Sequence, residues 1–314
     1  MSIIAVKNIT KKYGAKEILK GISFDIKSGE IFGLLGSNGA GKSTITKIML
    51  GLEKQTSGSI VFFEGKKVNL KTKVALVPQD TAFYQDFSVE KNMLFFASIL
   101  GLNKKILKER VEFLLDWLNL KDFRKTKASF LSGGYQRLLN IALSILNDPE
   151  IIFLDEPTVG LDPKMRKMFW DKIGELKRNG KTIILTTHYM DEAEYLCDKI
   201  VLLKKGELLA IGTPGELIEK YGGIKVMILE VSNGYKEEDI LKIKKVLNQS
   251  SVFTKNNTLF IPFEQKHSLE KMLAITDWLI EKGYDIKSST TKEPSLEDVF
   301  LNITGEKMVV EKWN

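Results

Sequence analysis

Three short stretches of this 314-residue sequence carry groups able to act on a phosphate. Residues 36–44 read GSNGAGKST and fit G-x-x-x-x-G-K-[ST], set between the strand-like EIFGLLG and the helix-like STITKIMLGL. Across Gly36, Ser37, Asn38, Gly39, Ala40, Gly41, Lys42, Ser43 and Thr44, this motif makes a phosphate cradle. The N–H groups from Gly39 to Ser43 wrap the phosphates, Lys42 reaches the β and γ oxygens, and the Ser43 hydroxyl ligates Mg²⁺. Residues 151–157, IIFLDEP, form an apolar strand ending in two acids. One carboxylate, Asp155, then faces the metal, and the next, Glu156, holds a water as general base. Residues 131–136, LSGGYQ, run straight into RLLNIALSIL, which has helical spacing. A serine and two glycines ahead of a helix expose unpaired N–H groups to an anion, so the chain carries a second cradle.

The elements that must position these groups are legible as a pattern. Strand-like runs EIFGLLG, KVALVPQ, EIIFLDE, KTIILTTH and KIVLLKKGEL alternate with helical stretches. Near-continuous apolar strands suit a parallel sheet covered on both faces, which predicts an α/β nucleotide-binding domain over 1–222. Residues 85–148 have helical periodicity and predict a helical subdomain inserted into it. From 223 to 314 the pattern changes to strand, helix, two strands, helix, strand, the order of a small α+β ferredoxin-like domain. A short helix in PSLEDVFLNITG closes it, between Pro294 and Gly305.

Composition narrows the function. With 43% hydrophobic residues the chain is globular rather than disordered. The formal charge of +7 fits nucleic acid, an anionic membrane surface or phosphate ligands. Almost all of it is lysine, however, with arginine only at 110, 124, 137, 166 and 178. Guanidinium is the group that reads base edges bidentately, so a solvated lysine-rich surface is expected and nucleic acid is not. No apolar run approaches the ~20 residues of a membrane span, and MSIIAVKNITKKYG lacks the features of a signal peptide. The lone Cys197 is expected in the core of a protein from a reducing cytoplasm. His267 and the tryptophans Trp117, Trp170, Trp278 and Trp313 show no partner spacing and are read as structural.

The cradle, LSGGYQ and FLDEP in this order resemble the ATP-binding cassette (ABC) transporter ATPases over residues 1 to about 220. The resemblance implies an enzyme that hydrolyses ATP with Mg²⁺ and works as a homodimer or pseudo-dimer. Ser132, Gly133 and Gly134 of one subunit would cap the γ-phosphate held by another, which explains the second cradle. By the same resemblance Tyr13 stacks on adenine, and Gln79 in LVPQD touches Mg²⁺ and the attacking water. His188 contacts the γ-phosphate, and Asp162 in VGLD crosses the dimer interface. Catalysis is thus assigned to Glu156, His188, Gln79 and Lys42, with Ser43, Gln79 and Asp155 on the metal. Two departures, Tyr135 after the glycines and Val159 before Gly-Leu-Asp, touch no reacting atom.

The ferredoxin-like tail resembles the C-terminal region of ATPases that pair with ABC-2 type, drug-resistance-like export permeases, a generic dimerisation or regulatory role being the alternative. With no spans of its own, the chain is expected on the inner face of the cell membrane through a separate multi-span permease. Phe83, Tyr84 and Phe87, just after Gln79, are expected either to line the groove that receives that permease or to pack the helical lobe onto the sheet. A soluble ABC ATPase acting on nucleic acid or ribosomes, or an ATP-binding scaffold, is the competing function. The first usually has two cassettes, a coiled-coil insert or zinc-binding cysteines, and the intact Glu156 and His188 speak against the second.

Overall fold

The computed structural model describes residues 2–66, 68–101, 103–247, 252–263 and 268–305, so His267 and Trp313 lie outside it. Apolar side chains on one face bend Ser2–Tyr13 (β1) and Lys16–Lys27 (β2) into an antiparallel hairpin. The chain then runs through Ile31–Leu35 (β3) and Lys42–Met49 (α1), and Ser57–Phe62 (β4) pairs with the other edge of β1. This three-stranded sheet, ordered β2-β1-β4, has no counterpart among the strand-like runs read from the sequence, which begin at residue 30 and pass over β4. The half-buried alternation that marks such strands is interrupted in β1 by register shifts around Asn8, whose φ of 49° is left-handed.

Leu70–Lys73 (α2) leads to Val74–Val77 (β5), and then the helical lobe follows: Val89–Ile99 (α3), Lys104–Trp117 (α4) and Gly133–Ser144 (α5). The chain re-enters the main sheet through Ile151–Asp155 (β6), Pro163–Arg178 (α6), Thr182–Thr187 (β7), Met190–Leu196 (α7), Lys199–Lys204 (β8) and Glu207–Gly212 (β9). The six strands run β5-β6-β7-β3-β8-β9, all parallel except β9. β3 and β7 are buried along their whole length, which explains their unbroken apolar character. Ile4, Ile22 and Phe24 of the antiparallel sheet share one core with Phe32, Phe153 and Val201 of the main sheet and Ile45 of α1. Phe24 and Phe32 stack at 5.1 Å. Cys197, after α7, is buried as expected.

The chain divides into compact units at residues 1–214 and 215–314. The boundary expected at 222/223 falls at the far end of Pro214–Tyr221 (α8), which belongs with the second unit. Asn302 Nδ2 donates to Tyr221 O at 2.8 Å, and a Cβ on Gly222 would meet Pro294 at 3.0 Å. The unit continues with Lys225–Val231 (β10), Glu237–Leu247 (α9), Phe253–Lys255 (β11), Thr258–Phe263 (β12), Ser268–Glu281 (α10), Ile286–Lys292 (β13) and Leu296–Thr304 (α11). Its antiparallel sheet is ordered β11-β12-β10-β13, the ferredoxin-like arrangement. α9 and α10 cover one face with Ile240, Ile243, Ile275 and Leu279. α11 starts at a reciprocal Ser295–Asp298 capping box and stops at left-handed Gly305.

Candidate active site

The cradle lies at the carboxyl end of β3, where α/β sheets bind their ligands. Glycine is required at 36, because a Cβ there would stand 2.3 Å from Leu203 O. Gly41 has φ 108° and takes the chain into α1 in a conformation closed to other residues. The hairpin β8–β9 braces the loop from behind, Gly206 N donating to Ala40 O at 3.0 Å.

Lys42 is 5% exposed and reaches back across the loop. Its Nζ donates to Gly36 O at 2.7 Å and lies 3.5 Å from Glu156 Oε1. Burial lowers the ammonium pKa, opposed by the neighbouring Glu156 and Asp155 charges. Glu156 itself sits just past β6 with φ 44°, a left-handed strain that needs local support. Thr186 supplies it: Glu156 N donates to Thr186 O at 3.0 Å and meets Thr186 Oγ1 at 3.1 Å. The same hydroxyl donates to Asp155 Oδ1 at 2.6 Å, so one threonine orients both acids. Glu156 Oε2 is 3.4 Å from His188 Nδ1, a buried nitrogen otherwise without a hydrogen-bond partner. Lys42, Glu156 and His188 are therefore brought together, with Asp155 in electrostatic reach of Lys42.

The remaining expected residues are placed as follows. Ser37, Asn38, Gly39 and Ser43 are exposed along the cradle, Thr44 is half-buried, and Ala40 is buried. Tyr13 ends β1 with its ring 49% exposed, its hydroxyl donating to Glu53 and the Lys11 ammonium 4.7 Å from the ring centre. The Glu53 hydrogen bond raises the Tyr13 pKa. Gln79 is exposed, and its carbonyl accepts from Arg137. Ser132 and Gly133 are exposed at the start of α5, where the Ser132 hydroxyl makes no bond to its own helix. Gly134 is buried, since a Cβ there would meet Met165 Cε of α6 at 2.4 Å. Asp162 caps that helix, accepting from Met165 N at 3.0 Å.

The aromatic stretch after Gln79 makes its ring contacts with the helical lobe. Tyr84 and Phe87 pack with tilted rings at 5.0 Å, and both meet Phe95 of α3 edge-on, at 5.0 and 5.9 Å. Fully buried Asn92 fixes this turn, accepting from Tyr84 N at 2.8 Å and donating to Tyr84 O at 2.9 Å. The groove beside Gln79, about 310 Å³, is instead lined by Pro78, Ala82, Phe96, Ile99 and Leu100. Tyr84 meets Phe96 of that lining at 6.4 Å, whereas Phe83 and Phe87 are not among the lining residues. Sequence reasoning also missed Thr186, Asn92, Arg137 and Glu192, all buried polar groups. For Thr186 the neighbouring Asp155-Glu156 and TTH stretches offered a signal.

Comparison with known proteins agrees with this geometry. The ABC transporter family matches residues 19–159. The linearmycin resistance ATP-binding protein LnrL of Bacillus subtilis (strain 168) is 36% identical over 307 residues, covering 96% of this chain and 98% of that one. The Nod factor export ATP-binding protein I of Rhizobium sp. (strain N33) is 37% identical over 315 residues, with 98% and 99% covered. Among solved structures, cbiO1 from Clostridium perfringens, part of the ABC transporter complex cbiONQ, superimposes with a TM-score of 0.65 at 28% identity, over 79% of this chain and 96% of that one. An ATP-binding subunit of an ABC transporter gives 0.62 at 28% identity, over 70% and 94%. The full-length relatives, and a phosphate cradle facing a paired acid and histidine, make this chain an ATP-hydrolysing subunit of the ABC transporter family.

Proposed function

We propose that this subunit closes as a dimer around two Mg-ATP and drives a separate membrane permease, in the direction of export. The observation that carries the chemistry is Glu156 held between Lys42 and His188 at the ends of adjacent strands. Glu156 takes a proton from the water that attacks the γ-phosphorus as the bond to the ADP oxygen breaks. Lys42 exchanges its contacts with Gly36 and Glu156 for phosphate oxygens, and His188 faces the γ-phosphate. Ser43, Gln79 and Asp155 would supply hard oxygen donors, a set that fits Mg²⁺, and the Thr186 bond keeps Asp155 oriented. When bound, the ion would neutralise charge building on the phosphates.

The dimer reading is supported by the uncapped, exposed start of α5 at Ser132 and Gly133. Such an end has N–H groups and positive dipole to offer an anion, here the γ-phosphate of a partner's ATP. Among the described residues no helix is long and apolar enough to cross a membrane. A permease on another chain would therefore bring the subunit to the inner membrane face, docking at the groove of Ala82, Phe96, Ile99 and Leu100, with Tyr84 against Phe96. Export is favoured by the printed names of the relatives, Nod factor export and linearmycin resistance. The unit of residues 1–214 would then be the ATPase domain and that of 215–314 an accessory domain.

Glu156→Gln tests the reading, because the amide keeps the shape but accepts no proton. Turnover should fall by ~10²–10⁴-fold with ATP binding retained, and size exclusion with sodium ATP should show a dimer. Monomeric elution at saturating nucleotide, with binding confirmed, would refute the sandwich.

A further inference from the structure

Arg137 lies on α5, one turn beyond the signature glycines, and is 8% exposed. Every one of its N–H donors is used, and each goes to a different main-chain carbonyl. Nε donates to Pro157 O at 2.6 Å. Nη1 donates to Pro78 O at 2.8 Å and Gln79 O at 2.5 Å. Nη2 donates to Asp155 O at 3.2 Å and Glu156 O at 2.8 Å. A buried guanidinium normally takes a carboxylate; this one instead gathers two turns. One turn carries Gln79 and the other carries Glu156. The planar fork fixes the directions of all five bonds, which three donors on a lysine cannot reproduce.

We propose that Arg137 is a positioning residue for hydrolysis, joining the signature helix, the Gln79 turn and the Asp155–Pro157 turn into one body. A displacement of α5 is then delivered to Gln79 and Glu156 together. The joint itself requires only the ATPase activity. That a partner's nucleotide at Ser132 sets the position of α5 rests on the dimer proposed above.

The test is steady-state ATPase with Arg137→Lys and Arg137→Gln, alone and combined with Gln79→Ala, alongside fluorescent-nucleotide binding and thermal melts. Nucleotide affinity should stay within about twofold of wild type, since Arg137 touches no cradle atom, while kcat falls by roughly tenfold or more. The signature of positioning is non-additivity: in the Gln79→Ala background, Arg137→Lys should cost less than about a third of its single-variant factor. A purely structural residue would lower kcat by the same factor in both backgrounds. That result overturns the proposal, as do wild-type kcat in Arg137→Lys, affinity lost in parallel with kcat, or both variants being unfolded at the assay temperature. The Hill coefficient for ATP reads the partner-dependent part and should fall from near 2 towards 1. If Glu156→Gln proves monomeric, the dimer fails while the double-variant comparison still decides the joint.

Discussion

Glu192 offers a sharp test of how the site is held, because it is a fully buried carboxyl, 0% exposed, that touches no expected nucleotide group. Its Oε1 accepts from Thr158 Oγ1 at 2.7 Å and from Trp170 Nε1 at 3.1 Å, tying the turn after Glu156 to α6. Burial raises its pKa, against the lowering effect of Thr187, Thr158, Trp170 and Arg166. Glu192→Ala leaves two buried donors unpaired, at about 1–3 kcal/mol each. The lost methylene adds about 0.8 kcal/mol, and relief of the buried acid offsets part of the total. The net is about 3 kcal/mol, or a melting temperature lower by roughly 6–12 °C for a unit of this size. Glu192→Gln keeps the acceptor oxygen and should stay within about 1 kcal/mol of wild type. The pH dependence follows from the raised pKa. Between the unfolded value of about 4.3 and the higher folded value, the folded protein holds a proton that the unfolded chain has released. Raising the pH through that window therefore costs wild-type stability, and Glu192→Gln should lack this component of the slope. Chemical denaturation across pH 4–7 measures both effects. A Glu192→Ala protein melting within about 2 °C of wild type, or a Gln variant as weak as the Ala variant, would refute the account.

Lys42→Ala should remove most nucleotide affinity, since the phosphates lose their buried cationic partner; wild-type turnover in this variant would contradict the cradle assignment. Ile99→Asp, and separately Tyr84→Ser with Phe87→Ser, should leave ATPase activity of the isolated subunit within a few-fold while abolishing co-purification with the permease. Normal permease binding by both would show that these side chains only pack the helical lobe.

Where chemistry constrains neighbouring residues, the sequence was legible. GSNGAGKST fixed the cradle, and the apolar run ending in Asp155-Glu156 fixed the acids, because each motif carries its backbone geometry within a few positions. β1 was not legible, since a left-handed Asn8 and shifting register blur the period of two on which strand reading depends. Arg137 and Glu192 escaped for another reason. Inside RLLNIAL and MDEAEYL they read as solvent-facing positions, and their partners arrive from turns and helices 18 to 59 positions away. The contacts of residues 84–88 were not legible, because their fold depends on Asn92, whose side chain closes on them only in three dimensions.

The central place of β3 has a consequence for how the protein is made. Its neighbours in the sheet are β7 and β8, so the strand leading into the cradle is emitted by the ribosome long before either flank exists. Between residues 35 and 182, synthesis at ~5–20 residues per second occupies roughly 7–30 s. During that interval IFGLL has no parallel partner, and Gly36 lacks the Leu203 carbonyl against which it is fitted. What the nascent chain can complete early is the hairpin of β1 and β2, a local contact that forms fast, and then its longer-range pairing with β4. That early sheet gives the waiting apolar strand a surface, and Phe24 stacking on Phe32 is one contact available from the start. The cradle is among the first segments synthesised, yet Gly36 and Ala40 meet Leu203 and Gly206 only once the chain has reached the β8–β9 hairpin.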